Sequence, residues 1–303
     1  MKILIAEYTQ FNNPYLAPEG KVMVDVLRKS FDACGYEVVT PLPGKDFGEE
    51  ISRLAPECEY SLVIAPDAML SKYTHIAELA SHNIGSDSTA AAVAANKRLT
   101  SKLLAARGIA VPKEVGPDFA GKRVIKPIKG EGSVNVRIAK EGELPKEGEM
   151  AVEYIEGKHF SVSLVGSRVV GEACGFYSGL PPVLLTVNSQ NVYIDESGFF
   201  RYAGGETPVH PPQEKAMFET AAKTIEALGC QGYVGVDMVV SGDAIYVVDV
   251  NARPTMSIVG ITKVIEEELA DILLKATVGL PPELVHYNGK TAVFDAEGGV
   301  TVK

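Results

Sequence analysis

The stretch Tyr233–Thr255, YVGVDMVVSGDAIYVVDVNARPT, is the part of the chain whose reading decides the fold. Two β-rich runs, Tyr233–Val240 and Ile245–Val250, flank a Ser-Gly-Asp-Ala turn, a pattern that predicts a β-hairpin. Asp237, Asp249 and Asn251 interrupt its apolar runs, and Arg253 follows just beyond. Side chains alternate between faces along a strand, so Asp249 and Asn251 share one face. Asp237 joins that face only if an odd-length loop or a bulge makes its register with Asp249 even. Two carboxylates and an amide oxygen converging there form a hard-oxygen site suited to Mg²⁺ holding phosphate. The competing reading is the solvent face of an edge hairpin. Strands are depleted in Asp, and these runs read as buried.

Composition sets the outer bounds. A chain of 303 residues has room for about two or three domains. Hydrophobic residues at 46% and charged residues at 22% are those of a soluble globular protein with a large core. The net charge of −10, with no basic block, argues against a nucleic-acid surface. Cys34, Cys58, Cys174 and Cys230 have no paired spacing, so reduced thiols are expected rather than a zinc site or a disulfide frame. No run of about 18 apolar residues occurs and Met1–Tyr8 is too short for a signal peptide, so no membrane role and a cytoplasmic location are expected.

Upstream of the hairpin, Lys2–Tyr8, Tyr36–Leu42 and Tyr60–Pro66 read as strands, with helices over Glu19–Cys34 and Met69–His82. This alternation builds a parallel sheet with helices on its faces, and the absence of G-x-G-x-x-G gives a dinucleotide role little support. Ser86-Asp87-Ser88 caps an Ala-rich helix that is expected to run through Asn96-Lys97 to Gly108. Arg123–Pro127 and Val134–Ile138 read as antiparallel strands around a loop containing Gly130, Gly132 and Ser133. Glycine lets backbone N–H groups approach phosphate oxygens closely, and Ser133 can add a hydroxyl. A ligand-free Gly-rich turn fits that loop equally well, and it is not a Walker A sequence. Lys126 sits inside an apolar strand, where a positive charge needs an anionic partner.

Met150–Ile155 and His159–Val165 are expected strands joined at Glu156-Gly157, a connection of the kind that reads a purine edge with backbone groups. Val169–Phe176 reads as a strand and Tyr177–Gly205 as irregular, the kind of long segment that often serves as a binding loop. A helix is expected over Pro211–Gly229 with Ala216, Phe218, Ala222 and Ile225 available for burial. A loop at Met256–Gly260, a helix to about Val278 and a short strand pair around Glu297-Gly298-Gly299 complete the chain.

In this order the elements resemble the ATP-grasp superfamily of carboxylate–amine ligases, over nearly the whole chain and through four spaced motifs. The resemblance implies an α/β (α+β) ATP-grasp fold with a parallel-sheet domain at residues 1–86, a lid domain at 87–155 and an antiparallel-sheet domain at 156–303. It implies ATP and Mg²⁺ (or Mn²⁺) as cofactors. Lys97 and Lys126 match the lysines on the α/β-phosphates, and Gly130–Ser133 the loop that closes over them. Glu153, Tyr154 and Ile155 match the adenine hinge, and His159 stands where a glutamate usually meets the ribose. Asp237, Asp249 and Asn251 match the metal ligands, Asp249 being one methylene shorter than the usual glutamate. Arg253, with Lys126, matches the catalytic cations on the transferring phosphoryl group.

Within the superfamily the chain is most similar to the archaeal tyramine–L-glutamate ligases of methanofuran biosynthesis, through EGKVM at Glu19–Met23, the EYIEGKHFSVS run and the DVNARPT ending. That similarity implies L-glutamate and tyramine as substrates, and a homodimer is compatible with it. Other readings are a ligase for a lysine- or ornithine-like amine and a nucleotide-binding regulatory module. Glu7 and Glu19 are candidates for an ammonium group, Arg201 and the loops after Arg253 for a carboxylate, and His210 for a general base against the reading of a lone surface histidine.

Overall fold

The computed structural model describes residues 1–13, 16–130, 134–167 and 180–303. Its first strand, β1 (Lys2–Glu7), is apolar from Ile3 to Ala6 because helices cover both faces of a parallel sheet. The chain continues through α1 (Thr9–Asn12), α2 (Ala17–Ala33), β2 (Glu37–Val39), α3 (Phe47–Leu54), β3 (Tyr60–Ile64), α4 (Asp67–Glu78) and β4 (His82–Asn83). These strands pair in the order β2-β1-β3-β4, all parallel. Helix α2 buries Met23, Val24, Leu27 and Phe31. It stops at Gly35, whose φ of +80° a residue with a Cβ rarely adopts.

The Ala-rich segment departs from its expected single helix. It forms α5 (Ser88–Ala94) and α6 (Lys97–Ala106), separated at Asn96, whose backbone is extended at φ −99°, ψ 91°. The Asn96 side chain accepts the Leu99 N–H at 3.1 Å, and the Lys97 N–H donates to Ile128 O at 2.9 Å. A cap has beaten helix continuation, and Lys97 thereby starts a helix against the next domain.

The lid is a small antiparallel sheet, β6-β5-β7, of β5 (Arg123–Pro127), β6 (Arg137–Ile138) and β7 (Glu149–Glu153). The large sheet is antiparallel and comprises β8 (Lys158–Gly166), β9 (Val183–Ile194), β10 (Phe200–Thr207), β11 (Gly232–Ser241), β12 (Ala244–Asn251), β13 (Ala292–Phe294) and β14 (Val300–Val302). Its order is β12-β11-β8-β9-β10-β13-β14. Helices α7 (Glu214–Leu228), α8 (Ile258–Val264) and α9 (Leu269–Thr277) complete the described elements. The architecture is therefore ATP-grasp-like: a parallel sheet, a small lid and an antiparallel sheet domain.

Three expectations need correction. Most of the described part of Tyr177–Gly205 is not irregular but the long hairpin β9–β10. Polar Asn188, Ser189, Gln190 and Asn191 broke the apolar alternation that would have revealed it. The buried stripe of α7 is Met217, Ala221, Thr224, Ile225 and Leu228, so Ala216 faces outward. The helix expected after Gly260 is two, α8 and α9, interrupted at Ile265, which has an extended backbone. The expected strand Val169–Phe176 and Cys174 fall outside the described residues; Cys34, Cys58 and Cys230 are free thiols.

The hairpin β11–β12 carries the bulge that the site requires. Met238 pairs with Val247 but Asp237 pairs with Asp249, which makes Val248 the extra residue. One core cluster joins Ile3 of β1 and Leu27 and Phe31 of α2 to Tyr233, Ile258 and Leu273 of the C-terminal part. The lid has its own small cluster of Val124, Met150, Val152 and Phe200. Among the described residues no helix is long and apolar enough to cross a membrane.

Candidate active site

A cleft of about 680 Å³ lies between the lid, the large sheet and the end of the parallel sheet. Its lining includes Lys97, Lys126, Gly130, Glu153, Tyr154, Ile155, His159, Asp237, Asp249, Asn251 and Arg253. Gly132 and Ser133 fall outside the described residues.

Charge is concentrated where α6, the lid and the β11–β12 hairpin meet. Lys97 Nζ, on a residue 6% exposed, reaches both Asp249 oxygens at 2.5 Å and stands 3.9 Å from Asp67 Oδ2. Burial alone would lower its pKa, but Asp249 and Asp67 reverse this and hold the ammonium above its usual range. Lys126 donates to Val248 O, the carbonyl of the bulge residue, at 3.0 Å. Burial lowers its pKa to about 8, against the pull of Asp249 and with a push from Lys97. Asp237 receives Gln190 Nε2 at 2.9 Å and Asn251 Nδ2 at 3.2 Å. Burial and then the Asp249 charge raise its pKa to about 7.

Along the β7–β8 connection the Glu153 and Tyr154 N–H groups donate to Lys113 O and Lys122 O, both at 2.9 Å. The remaining hinge N–H is that of Ile155. Apolar Val124, Val152, Phe200 and Val239 line the cleft beside it, and the Tyr154 ring lies 6.4 Å from that of Phe200. A flat heterocycle fits such a slot. Half-buried His159 is pushed below its usual pKa by burial, which favours a neutral imidazole at pH 7.

The ATP-grasp domain family matches residues 94–257, which span the lid, the bulged hairpin and both lysines. The chain belongs to the ATP-grasp superfamily of carboxylate–amine ligases. It is 30% identical to the tyramine–L-glutamate ligase of Methanocaldococcus jannaschii over 90% of this chain and 88% of that one. The structure of an ATP-grasp superfamily protein from Archaeoglobus fulgidus superposes with a TM-score of 0.74 at 27% identity, covering 100% of this chain and 98% of that one. The Bacillus anthracis D-alanine–D-alanine ligase, at 18% identity, shares the fold with a TM-score of 0.63, covering 92% of this chain and 97% of that one.

For an ATP-grasp site the donor set near the bulge fits a hard divalent cation. Two carboxylates are paired across the strands, and a cation would offset both the burial and the Asp249 charge that raise the pKa of Asp237. Among the described residues no three His, Cys, Asp or Glu side chains form a metal cluster, and the further side-chain oxygen in the cleft beside the two carboxylates is that of the Asn251 amide. That oxygen lies 3.5 Å from Arg253 Nη2 while the amide nitrogen faces Asp237. Metal binding would require the amide to turn end for end.

The residues considered for substrate divide. Glu7, Glu19 and Arg201 line the same cleft. Glu7, 2% exposed, accepts from the Thr9 N–H at 2.9 Å, the Thr9 hydroxyl at 2.6 Å and the Gln10 N–H at 2.8 Å. Burial raises its pKa, and those bonds and Arg253 offset part of the rise. Arg201 pairs with Asp195 at 2.8 Å. His210 is not among the cleft-lining residues; it is exposed and bonds Glu214 at 2.9 Å in the first turn of α7, the surface reading.

Sequence reasoning missed Asp67 and Gln190. Asp67, 4% exposed at the start of α4, lies 3.6 Å from Arg253 Nε and so links Arg253 to Lys97. A carboxylate directly after Pro66 at the end of an apolar strand was the available signal.

Proposed function

We propose that this chain joins the γ-carboxylate of L-glutamate to tyramine, with ATP converted to ADP and phosphate. One observation carries the reading: Lys97, Lys126, Asp237, Asp249 and Asn251 converge in a cleft that also bears Glu7, Glu19 and Arg201. The first group suits a polyphosphate, the second an amino acid and an amine. The identity to the Methanocaldococcus jannaschii tyramine–L-glutamate ligase across nine-tenths of this chain supports the substrate pair.

A substrate carboxylate attacks the γ-phosphorus of ATP and ADP departs, leaving an acyl phosphate. The neutral amine then attacks the acyl carbon and phosphate leaves. The work of the protein is positioning and charge neutralisation. Lys97 and Lys126 face the α/β-phosphates, and Arg253, steadied by Asp67, faces the transferring phosphoryl group. Asp237, Asp249 and Asn251 would hold the divalent cation, which supplies charge neutralisation of the β/γ-phosphates. Apolar Leu16, Met23, Met256 and Phe294 line the cleft with Glu19 and give an aryl amine a surface to pack on.

Coupled ADP release with glutamate, with and without tyramine, tests the proposal. Tyramine-dependent release is the expected result. Release driven instead by lysine or ornithine would reassign the amine, and ATP binding without ADP for every acid–amine pair would make the chain a regulatory module.

A further inference from the structure

A group of hydroxyls behind the Arg253 wall of the cleft has no part in the scheme above. Tyr233, 1% exposed, places its hydroxyl 2.8 Å from Ser163 Oγ, 2.9 Å from Ser257 Oγ and 3.3 Å from Thr255 Oγ1. Thr255 and Ser257 also meet each other at 2.9 Å, and Ser163 and Ser257 at 3.2 Å. Asn188 Nδ2 donates to Ser163 Oγ at 3.0 Å, and its Oδ1 accepts the Thr186 hydroxyl at 2.8 Å. The amide is therefore fixed in orientation, and it polarises the cluster in one direction.

Counting hydrogens shows what the cluster can offer. Asn188 and Tyr233 both donate to Ser163, which leaves the Ser163 hydrogen to donate to Ser257. The hydrogens of Thr255 and Ser257 then remain, and both residues line the cleft. In the free protein these two hydrogens can turn back on Tyr233 or on each other. An acceptor in the cleft can draw both outward without breaking the rest.

The surroundings specify the acceptor. Thr255 leans over Gly235 beside the proposed metal ligand Asn251: a Cβ at 235 would lie 3.0 Å from Thr255 Cγ2 and 3.8 Å from Asn251 Cβ. Arg253, two residues before Thr255, lines the same cleft. One guanidinium and two hydroxyl donors suit a carboxylate, to which hydrogen bonds are charge-assisted. We propose that Thr255 and Ser257 bind the carboxyl group of the acid substrate beside Arg253, and that buried Tyr233 is the positioning residue that aims them. The inference rests on the ligase reading and concerns the acid, not the amine.

A phosphate oxygen offers the same acceptor chemistry, so the test must separate acid from nucleotide. Steady-state kinetics are measured for Thr255→Val, Thr255→Ser and Tyr233→Phe, varying glutamate and ATP in turn. Thr255→Val and Tyr233→Phe are expected to raise KM for the acid about ten-fold or more, with KM for ATP within about two-fold of wild type. Thr255→Ser, which keeps the hydroxyl, is expected to restore the acid KM. Thr255 is only partly buried, so its variants report even if loss of the Tyr233 hydroxyl impairs folding. An unmoved acid KM in Thr255→Val on an active wild-type background overturns the inference alone, as does a parallel rise in both KM values. No ADP release by wild type with any amino-acid carboxylate overturns the ligase reading and the inference together.

Discussion

Lys97 and Asp249, 152 positions apart, form a partly buried ion pair in which the ammonium reaches both carboxylate oxygens. In the free protein the lysine thus lies where a cation would bind. A metal arriving alone has to displace an ammonium already paired, whereas one arriving with a polyphosphate gives Lys97 a new partner. Wild type is therefore expected to show little thermal stabilisation by Mg²⁺ alone and a clear rise with Mg²⁺ and ATP together. Lys97→Ala leaves Asp237 and Asp249 without their nearest cation, so Mg²⁺ alone is expected to stabilise that variant more than wild type. Its kcat/KM for ATP should fall by about 10²-fold or more. Equal responses of both proteins to Mg²⁺ in a thermal-shift titration would contradict this account.

Lys126 leads to a prediction of opposite sign for stability and for function. Its pKa drops from 10.5 unfolded to about 8 folded, because burial opposes the charge. Below pH 8 the lysine is charged in both states, and holding it in the free cleft costs about 3 kcal/mol. Between pH 8 and about 10.5 the unfolded chain binds more protons than the folded one, so this contribution to stability rises with pH. Lys126→Met is therefore expected to exceed wild type in urea stability at pH 7 without nucleotide, with the gap narrowing by pH 10. KM for ATP in wild type should climb above pH 8 as the ammonium is lost. A gap that widens with pH would refute the assignment.

The bulge at Val248 can be tested by removing it. Deleting Val248 makes the register uniform along β11–β12 with Asp237 still opposite Asp249, but it removes the carbonyl to which Lys126 donates and the local bend of the bulge. Far-ultraviolet circular dichroism should remain close to wild type, since the hairpin can still pair. Stabilisation by Mg²⁺ with ATP should weaken and KM for ATP should rise about ten-fold or more, because Lys126 loses the carbonyl that holds it. An unmoved KM for ATP would mean that the bulge carbonyl is not what positions Lys126.

Asp237 and Asp249 were legible because a carboxylate in an apolar strand demands a reason, and their opposition required an even register. The hairpin β9–β10 was not legible, because Asn188 and Gln190 are polar toward the cleft and a strand facing a wet site loses its alternation. The break at Asn96 was hidden for another reason. The Ala-rich sequence favours helix on both sides, and the preference for a cap emerges only with Lys97 bonded to Ile128 of the lid. Asp67 had one neighbouring proline as its signal, and its partners lie about 30 and 186 positions away in the chain, beyond the reach of local pattern.

Phe200 joins the lid to the large sheet, and its removal should show how separately the lid is held. The residue belongs to β10, yet its ring is in the cluster with Val124, Met150 and Val152 of the lid. Its N–H donates to Val136 O at 2.9 Å, and the Ile138 N–H donates to Gly198 O at 2.9 Å. Phe200→Ala is expected to cost about 3–5 kcal/mol locally. The N-terminal and C-terminal parts share a different core, so the loss should be confined to the lid. Hydrogen exchange should accelerate at Val124–Lys126 and Met150–Val152 while Ile3–Ile5 and Val234–Val236 keep their protection. KM for ATP should rise, because both Lys126 and the hinge N–H of Ile155 depend on the lid. Faster exchange in the parallel sheet of the variant would show instead that lid and body fold as one cooperative unit.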